Sequence, residues 1–206
     1  MGNAALALLM LAAVSVGSGT PREVVQASVG RVLTAAQEAR VTSTEGAPAR
    51  GEARAELRRV STDLFDFNEM SRRALPRQWP RLGAGERKEF VDLFTDLLAR
   101  AYLGRIEGYA GERIAYLGET IDGSFAAVRS RITSRRNTET GLEYRLHLVD
   151  GRWRVYDVVV DGVSLVATYR DQFTRVMQAA SWGGLLDALR RRQLESRPLD
   201  QHAERR

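Results

Sequence analysis

The sequence predicts an α+β fold in which helices come first, a four-stranded antiparallel meander follows, and two helices close the chain. Two changes in hydrophobic period carry this prediction. Apolar residues recur at helical spacing up to about Tyr102, alternate with period two from Arg113, and return to helical spacing after Gly162. With 206 residues and 44% hydrophobic content, the chain can bury the core of one ordinary domain.

Four helices are expected before the sheet. The first covers residues 21–39, a loop over residues 41–51 follows, and the second covers residues 52–64. A short third helix ends at Pro76, which cannot continue a helix. The fourth covers residues 85–102 and carries one broad apolar stripe. Core packing and the lining of a cavity are both compatible with that stripe. Its members are Phe90, Phe94, Leu97, Leu98, Ala101 and Tyr102.

The last two strands of the meander meet at Asp150-Gly151, a strong two-residue hairpin signal. This turn pairs Val149 with Arg152 and predicts Leu146 opposite Val155 and Tyr144 opposite Asp157. The opposite face, which includes His147, is expected to point to solvent near the turn. The predicted apolar face consists of Leu142, Tyr144, Leu146, Leu148, Trp153, Val155 and Val159, interrupted only by Asp157. Helices must cover this face.

The strand-to-helix corner after the meander contains Gly162-Val163-Ser164, and Ser164 is placed to cap the first closing helix. Ser181 is expected to cap the last one. A hydrolase elbow would also place Ser here, but Val166 stands where such an elbow needs a second glycine. Asp157 is predicted to pair with Arg170 or another arginine, because an unpaired buried carboxylate is costly; a role as general acid is less favoured.

The composition excludes several chemistries. The chain has no cysteine, so disulfides, thiol catalysis and thiolate metal sites are excluded. The sole lysine, Lys88, is followed by Glu89, which rules out a phosphate-binding loop. Two histidines without an HExxH pattern disfavour a zinc site. We therefore expect no metal, no cofactor and no enzymatic activity, and a binding function instead.

The ends of the chain are expected to differ from its middle. Residues 4–16 are apolar but would span only about 20 Å as a helix, less than the ~30 Å of a bilayer core, so residues 1–20 read as a secretory signal. Residues 21–193 form the predicted domain, and residues 194–206 a polar, disordered tail. The net charge of +5 comes from scattered arginines, which favours a solvated surface over nucleic-acid binding. A soluble, exported protein is therefore predicted.

One set of motifs resembles the MlaC family, also known as toluene-tolerance auxiliary proteins. The resemblance covers about residues 55–189, in the order and spacing typical of the family. Thr168 departs from it, since asparagine is expected before Tyr-Arg. The motifs are Phe65-Asp66-Phe67 with Met70, Ser71-Arg72-Arg73-Ala74-Leu75, Trp79, Phe90, Phe94, Tyr102, Tyr109 and the run VYDVVVDGVSLVATYRDQF from Val155 to Phe173.

This resemblance implies a periplasmic carrier that shuttles glycerophospholipids between an outer-membrane lipoprotein complex and an inner-membrane ABC transporter. The acyl chains would occupy an apolar cavity between sheet and helices. Arg154 or Arg170 could meet a headgroup phosphate there. The expected lining consists of Phe94, Leu98, Tyr102, Tyr109, Tyr144, Leu146, Trp153, Val155, Val159, Val166, Tyr169 and Phe173.

Three alternatives stay open at this point. Part of the family is associated with hopanoids, so the lipid could be a hopanoid or another apolar lipid. A small α+β enzyme could use Asp157 in a cone-shaped pocket, which would require a second titratable group beside it. A basic nucleic-acid binder is disfavoured by the expected export and by the lack of a clustered aromatic and basic surface.

Overall fold

The computed structural model describes residues 19–41, 47–107 and 111–191. In these ranges the order of helices and strands agrees with the predicted α+β fold. The helices are α1 (Pro21–Val41), α2 (Ala47–Leu64), α3 (Phe67–Ala74), α4 (Ala84–Glu107) and α5 (Leu165–Arg190), with a 3₁₀ turn at Trp79–Arg81. The strands are β1 (Arg113–Asp122), β2 (Phe125–Thr133), β3 (Glu139–Val149), β4 (Arg152–Val160) and β5 (Val163–Ser164). The predicted signal segment and the polar tail lie almost wholly outside the described residues.

The sheet is an antiparallel meander in the order β1-β2-β3-β4-β5. It has one strand more than predicted, because the chain reverses at Asp161-Gly162 and pairs Val160 with Val163 before the next helix begins. Both turn residues have positive φ, 46° at Asp161 and 85° at Gly162. The corner is therefore a tight hairpin that delivers the chain directly into α5.

Two predicted boundaries need correction. The loop expected over residues 41–51 is too long, since α2 already begins at Ala47; Pro48 lies in its first turn, where proline costs no helical hydrogen bond. The two closing helices form one element, α5, broken at Ser181 with φ 67° and ψ 179°. Gly184 permits this break, because a Cβ there would lie 2.7 Å from that of Ala180. The predicted boundary at Ser181 is thus a kink.

The register of the β3–β4 hairpin follows the prediction only near its turn. Leu148 pairs with Trp153 and Leu146 with Val155, as expected. A β-bulge then leaves Tyr156 unpaired, so that Arg145 lies opposite Asp157 and Tyr144 opposite Val158. The predicted pairing of Tyr144 with Asp157 is wrong. One inserted residue moves every later side chain to the other face of the sheet.

Most of the buried apolar residues form two clusters. The helical cluster joins α3, α4 and α5, and its buried members are Met70, Ala74, Leu75, Trp79, Leu82, Phe90, Phe94, Leu97, Leu98, Leu165, Val166, Tyr169, Phe173, Leu185, Leu186 and Leu189. The sheet cluster lies between the strands and the helices α1 and α2, and its buried members are Val25, Leu64, Ala126, Val128, Tyr144, Leu146 and Val155. A domain of this size usually has one continuous core. The candidate site consists of these two clusters and the boundary between them.

Candidate functional site

The helical cluster holds five of the residues predicted to line a cavity. Phe94 and Leu98 come from α4, and Val166, Tyr169 and Phe173 from α5. Phe94 packs edge-on against the rings of Tyr169 and Phe173, with centroids 5.2 Å apart in both pairs. Tyr102 is partly buried and packs against the same cluster. Edge-to-face contacts of this kind stabilise the packing of α4 against α5 beyond the burial of apolar area alone.

The sheet cluster holds four more predicted lining residues. Tyr144, Leu146 and Val155 are buried in it, and Trp153 packs against it while partly exposed. Burial raises the pKa of the Tyr144 hydroxyl above its ordinary value, and the Ser130 side chain lies beside that hydroxyl. The Tyr144 hydroxyl therefore stays protonated and adds no charge to the sheet cluster at any physiological pH.

The bulge changes which residues of β4 contribute to the sheet cluster. Val159 is buried but lies on the face of Asp157 and outside the sheet cluster, whereas Val158 packs against that cluster. The assignment of Val159 to the same face as Leu146 is thus wrong. The sequence gives no sign of this exchange, because Val158 and Val159 are identical in type. Tyr109, the remaining predicted lining residue, lies outside the described residues.

Phe65 connects the two clusters and packs against both. Its backbone forms a parallel bridge with Val155, and the amide of Asp66 donates to the carbonyl of Val155 at 2.8 Å. The Phe-Asp-Phe motif therefore fixes the α2–α3 junction to the sheet at the boundary between the clusters. From the sequence, this motif was used only for the family resemblance, and its position between the clusters was missed. The feature that could have indicated this position is an aromatic residue directly before the N-cap of a helix.

Asp157 is buried, with 4% of the residue exposed, at the corner where β4, β5 and α5 meet. Its carboxylate accepts hydrogen bonds from the Ser164 hydroxyl at 2.7 Å and the Val166 amide at 3.0 Å. Arg145 lies 3.5 Å away on β3. The prediction named Arg170 or another arginine, and the arginine beside the carboxylate is Arg145. Arg170 lies on the exposed side of α5 and contacts Asp171 at 3.4 Å.

Ser164 caps α5 as predicted. Its hydroxyl accepts from the amide of Ala167 at 3.0 Å while donating to Asp157. Thr168, where the resemblance led us to expect asparagine, donates to the carbonyl of Ser164 at 2.8 Å. Asp157 and Ser164 together accept from two of the free amides at the start of the helix, those of Val166 and Ala167, which fixes the direction in which α5 leaves the sheet.

Replacing Asp157 with alanine is expected to destabilise the protein by about 2–4 kcal/mol, because the buried amide of Val166 and the hydroxyl of Ser164 lose their acceptor. Chemical denaturation measures the free energy of unfolding. The matched control is Asp171→Ala on the exposed side of α5, which should cost less than about 0.5 kcal/mol. Equal effects of the two substitutions would show that Asp157 does not fix the corner.

Arg154 does not face open space. Its Nη2 donates to the carbonyls of Thr62 and Phe65, both at 2.7 Å, and so caps the C-terminus of α2. A cation at a helix C-terminus also interacts favourably with the helix dipole. The role of Arg154 or Arg170 at a lipid headgroup stays a prediction, and these contacts give Arg154 a structural task.

The sheet face opposite the sheet cluster carries His147. Contrary to the prediction, its side chain is only 16% exposed, because the α2–α3 junction covers it. Its Nε2 lies 3.1 Å from Oδ2 of Asp66, whose Oδ1 accepts from the amide of Glu69 and caps α3. The ring of Tyr156 packs against His147, with the guanidinium of Arg73 3.9 Å from its centroid. This face anchors α3 to the sheet.

A shallow cavity of about 230 Å³ opens on that same outward face, next to Arg145 and Tyr156. Of the residues that line it, only Ala126 belongs to either cluster. In the described ranges no group of three or more His, Asp or Glu residues could hold a metal ion. Likewise, no helix in the described part of the chain is long and apolar enough to cross a membrane.

The fold places the chain among α+β domains in which the helices and a meander sheet contribute separate apolar clusters. The family model described as MlaC protein matches residues 29–191, and the chain therefore belongs to the MlaC family. The toluene tolerance protein ttg2D of Pseudomonas putida is 25% identical over 176 residues, which are 83% of this chain and 80% of that protein. The predicted family is confirmed.

The fold also resembles a solved structure, that of a phospholipid-binding protein from Ralstonia solanacearum in complex with a phospholipid. The match has a TM-score of 0.73 and 23% sequence identity, and it covers 84% of this chain and 97% of the other. At this identity the likeness concerns the fold, and it confirms the predicted α+β arrangement.

Proposed function

We propose that this protein is a carrier of glycerophospholipids that holds the acyl chains between the helical cluster and the sheet cluster. The observation that carries this proposal is the division of most buried apolar residues into two clusters, with Phe65 packed against both. Two apolar walls that meet along a boundary can separate to admit a chain, whereas one interlocked core cannot open without losing its packing.

The energetics of lipid extraction support apolar walls of this kind. An acyl chain of about 16 carbons gains roughly 13 kcal/mol from burial at ~0.8 kcal/mol per CH₂. A carrier must match this within a few kcal/mol, so its walls must be nearly as apolar as the bilayer. The walls named above consist of Leu, Val, Phe, Tyr and Trp side chains. Exchange with a membrane would then be near neutral, and direction would come from partners.

Membership of the MlaC family supports a place for this carrier between two membranes. We propose a periplasmic location, with lipid passed between an outer-membrane lipoprotein complex and an inner-membrane ABC transporter. The bound phospholipid in the related structure from Ralstonia solanacearum favours a glycerophospholipid over a hopanoid as cargo.

A pocket enzyme that uses Asp157 is the weaker alternative. Such an enzyme would need a second titratable group that converges with the carboxylate. The described contacts of Asp157 are an arginine, a serine hydroxyl and a backbone amide, and they hold the start of α5. We therefore propose a carrier without catalytic activity.

The proposal is tested by lipid transfer between vesicles. Donor vesicles contain a fluorescent phosphatidylethanolamine with a non-exchangeable quencher, acceptor vesicles contain neither, and the full protein is added at rising concentration. The rate of dequenching should rise in proportion to protein concentration. Protein that neither accelerates transfer nor takes lipid from the donor vesicles would refute a carrier function.

A further inference from the structure

Tyr169 lies in the middle of the helical cluster, with only 1% of the residue exposed. Its ring packs against Phe94 and Phe173, with centroid distances of 5.2 Å and 5.7 Å. These contacts explain an aromatic ring at this position, but phenylalanine would make them equally well. They leave the hydroxyl unexplained.

The hydroxyl of Tyr169 is buried, and among the described residues no group lies within hydrogen-bond distance of it. A buried polar group without a partner costs about 1–3 kcal/mol of stability. The hydroxyl of Tyr144, by contrast, lies beside the Ser130 side chain. The Tyr169 hydroxyl therefore destabilises the folded protein as long as no ligand is bound. This suggests a hydrogen-bond partner that is not part of the chain.

The hydroxyl can act only as a neutral donor or acceptor at neutral pH. Burial raises the pKa of Tyr169 to about 12, and the positive charge of Arg100 opposes this only in part. Arg100 is itself bound to Asp96, with Nε 3.0 Å from the carboxylate. Its charge is therefore already paired, and the donor offered to the interior of the cluster is the phenol.

The depth of the hydroxyl selects its partner. A phosphate would have to lose its hydration to reach a side chain that is 1% exposed and packs against the rings of Phe94 and Phe173, and that costs far more than one hydrogen bond returns. An ester carbonyl is uncharged, accepts hydrogen bonds and is attached directly to the acyl chain. It is the one acceptor of a glycerophospholipid that an apolar wall admits at low cost.

We infer that the Tyr169 hydroxyl donates a hydrogen bond to an acyl ester carbonyl of the bound lipid, and that the protein thereby selects ester-linked glycerolipids. The inference rests on the proposed function, since it names a polar contact within the same site. Ether-linked lipids lack the carbonyl, and hopanoids carry no acyl ester. Neither offers the hydroxyl the ester carbonyl that it would meet in a diacyl lipid.

The test compares diester and diether phosphatidylethanolamine of equal chain length, offered in vesicles as a mixture, with the bound lipid quantified by mass spectrometry. The wild-type protein should take up the diester form about fivefold to tenfold more than the diether form. Tyr169→Phe should bind both forms equally, with a melting temperature equal to or above that of the wild type. Tyr156→Phe, on the opposite face of the sheet where the ring packs against His147, is the matched control and should keep the preference.

The outcomes separate the inference from the carrier function. Equal uptake of both lipids by the wild type, or a preference that survives Tyr169→Phe, overturns the inference and leaves the carrier intact. Uptake of neither lipid overturns both. The wild-type comparison stands alone even where the variant fails to fold. A purely structural role of the hydroxyl would lower the melting temperature of Tyr169→Phe without changing the ratio of the two lipids.

Discussion

Leu146→Glu is expected to reduce bound lipid from about one molecule per chain to nearly none, because it places a carboxylate in the centre of the sheet wall. Leu146 is fully buried between β2 and β4, opposite Ala126 and Val155. A glutamate there either stays charged, which repels an acyl chain, or binds a proton at a cost of several kcal/mol. The measurement is denaturing extraction of the purified protein followed by lipid mass spectrometry.

Leu148→Glu is the matched control for this substitution. Leu148 lies two residues further along the same strand and on the same face, but it is 41% exposed. The control should fold and retain its lipid. Val155→Thr provides a milder test that preserves the fold, because threonine has nearly the volume of valine and adds only one hydroxyl to the wall. It should lower lipid occupancy. Full occupancy in both Leu146→Glu and Val155→Thr would exclude the sheet cluster as a wall.

Phe173→Ala is expected to destabilise the protein by about 3–5 kcal/mol, the usual cost of removing a buried aromatic ring. The ring is fully buried and contacts those of Phe90, Phe94 and Tyr169, with centroids 5.5, 5.2 and 5.7 Å away. It thereby holds α4 and α5 together. Chemical denaturation, evaluated at constant slope, gives the free energy of unfolding.

Phe125→Ala is the control for the helical cluster, since Phe125 is 46% exposed at the start of β2. It should cost less than about 1 kcal/mol. Lipid should protect Phe173→Ala in part, because a ligand that binds only the folded state stabilises it by mass action. Similar losses of unfolding free energy in Phe173→Ala and Phe125→Ala would show that the rings of the helical cluster do not hold α4 and α5 together.

Local signals were sufficient to predict much of the fold. The Asp150-Gly151 turn set the register of the hairpin correctly as far as the pair Leu146 and Val155. Ser164 was recognised as a helix cap, and Ser181 as a boundary in the closing helix. These features depend on residues close to one another in the chain. The helical and strand periods are likewise local, which is why the order of the elements was predictable.

The errors concern contacts between distant parts of the chain. The bulge at Tyr156 depends on how β4 meets β3 and on the packing of the Tyr156 ring against His147 and Phe125. The arginine beside Asp157 proved to be Arg145, because the bulge moves the carboxylate to the face of Arg145. The partial burial of His147 follows from Asp66, which is 81 residues away in sequence. None of these follows from a period or a turn.

Native mass spectrometry of the purified full-length protein tests the central claim most directly. A carrier with two apolar walls should retain its cargo, so the spectrum should show the chain with about one glycerophospholipid, and the lipid should be released on denaturation. A spectrum of the bare chain alone, which stays bare after incubation with phospholipid vesicles, would contradict the account.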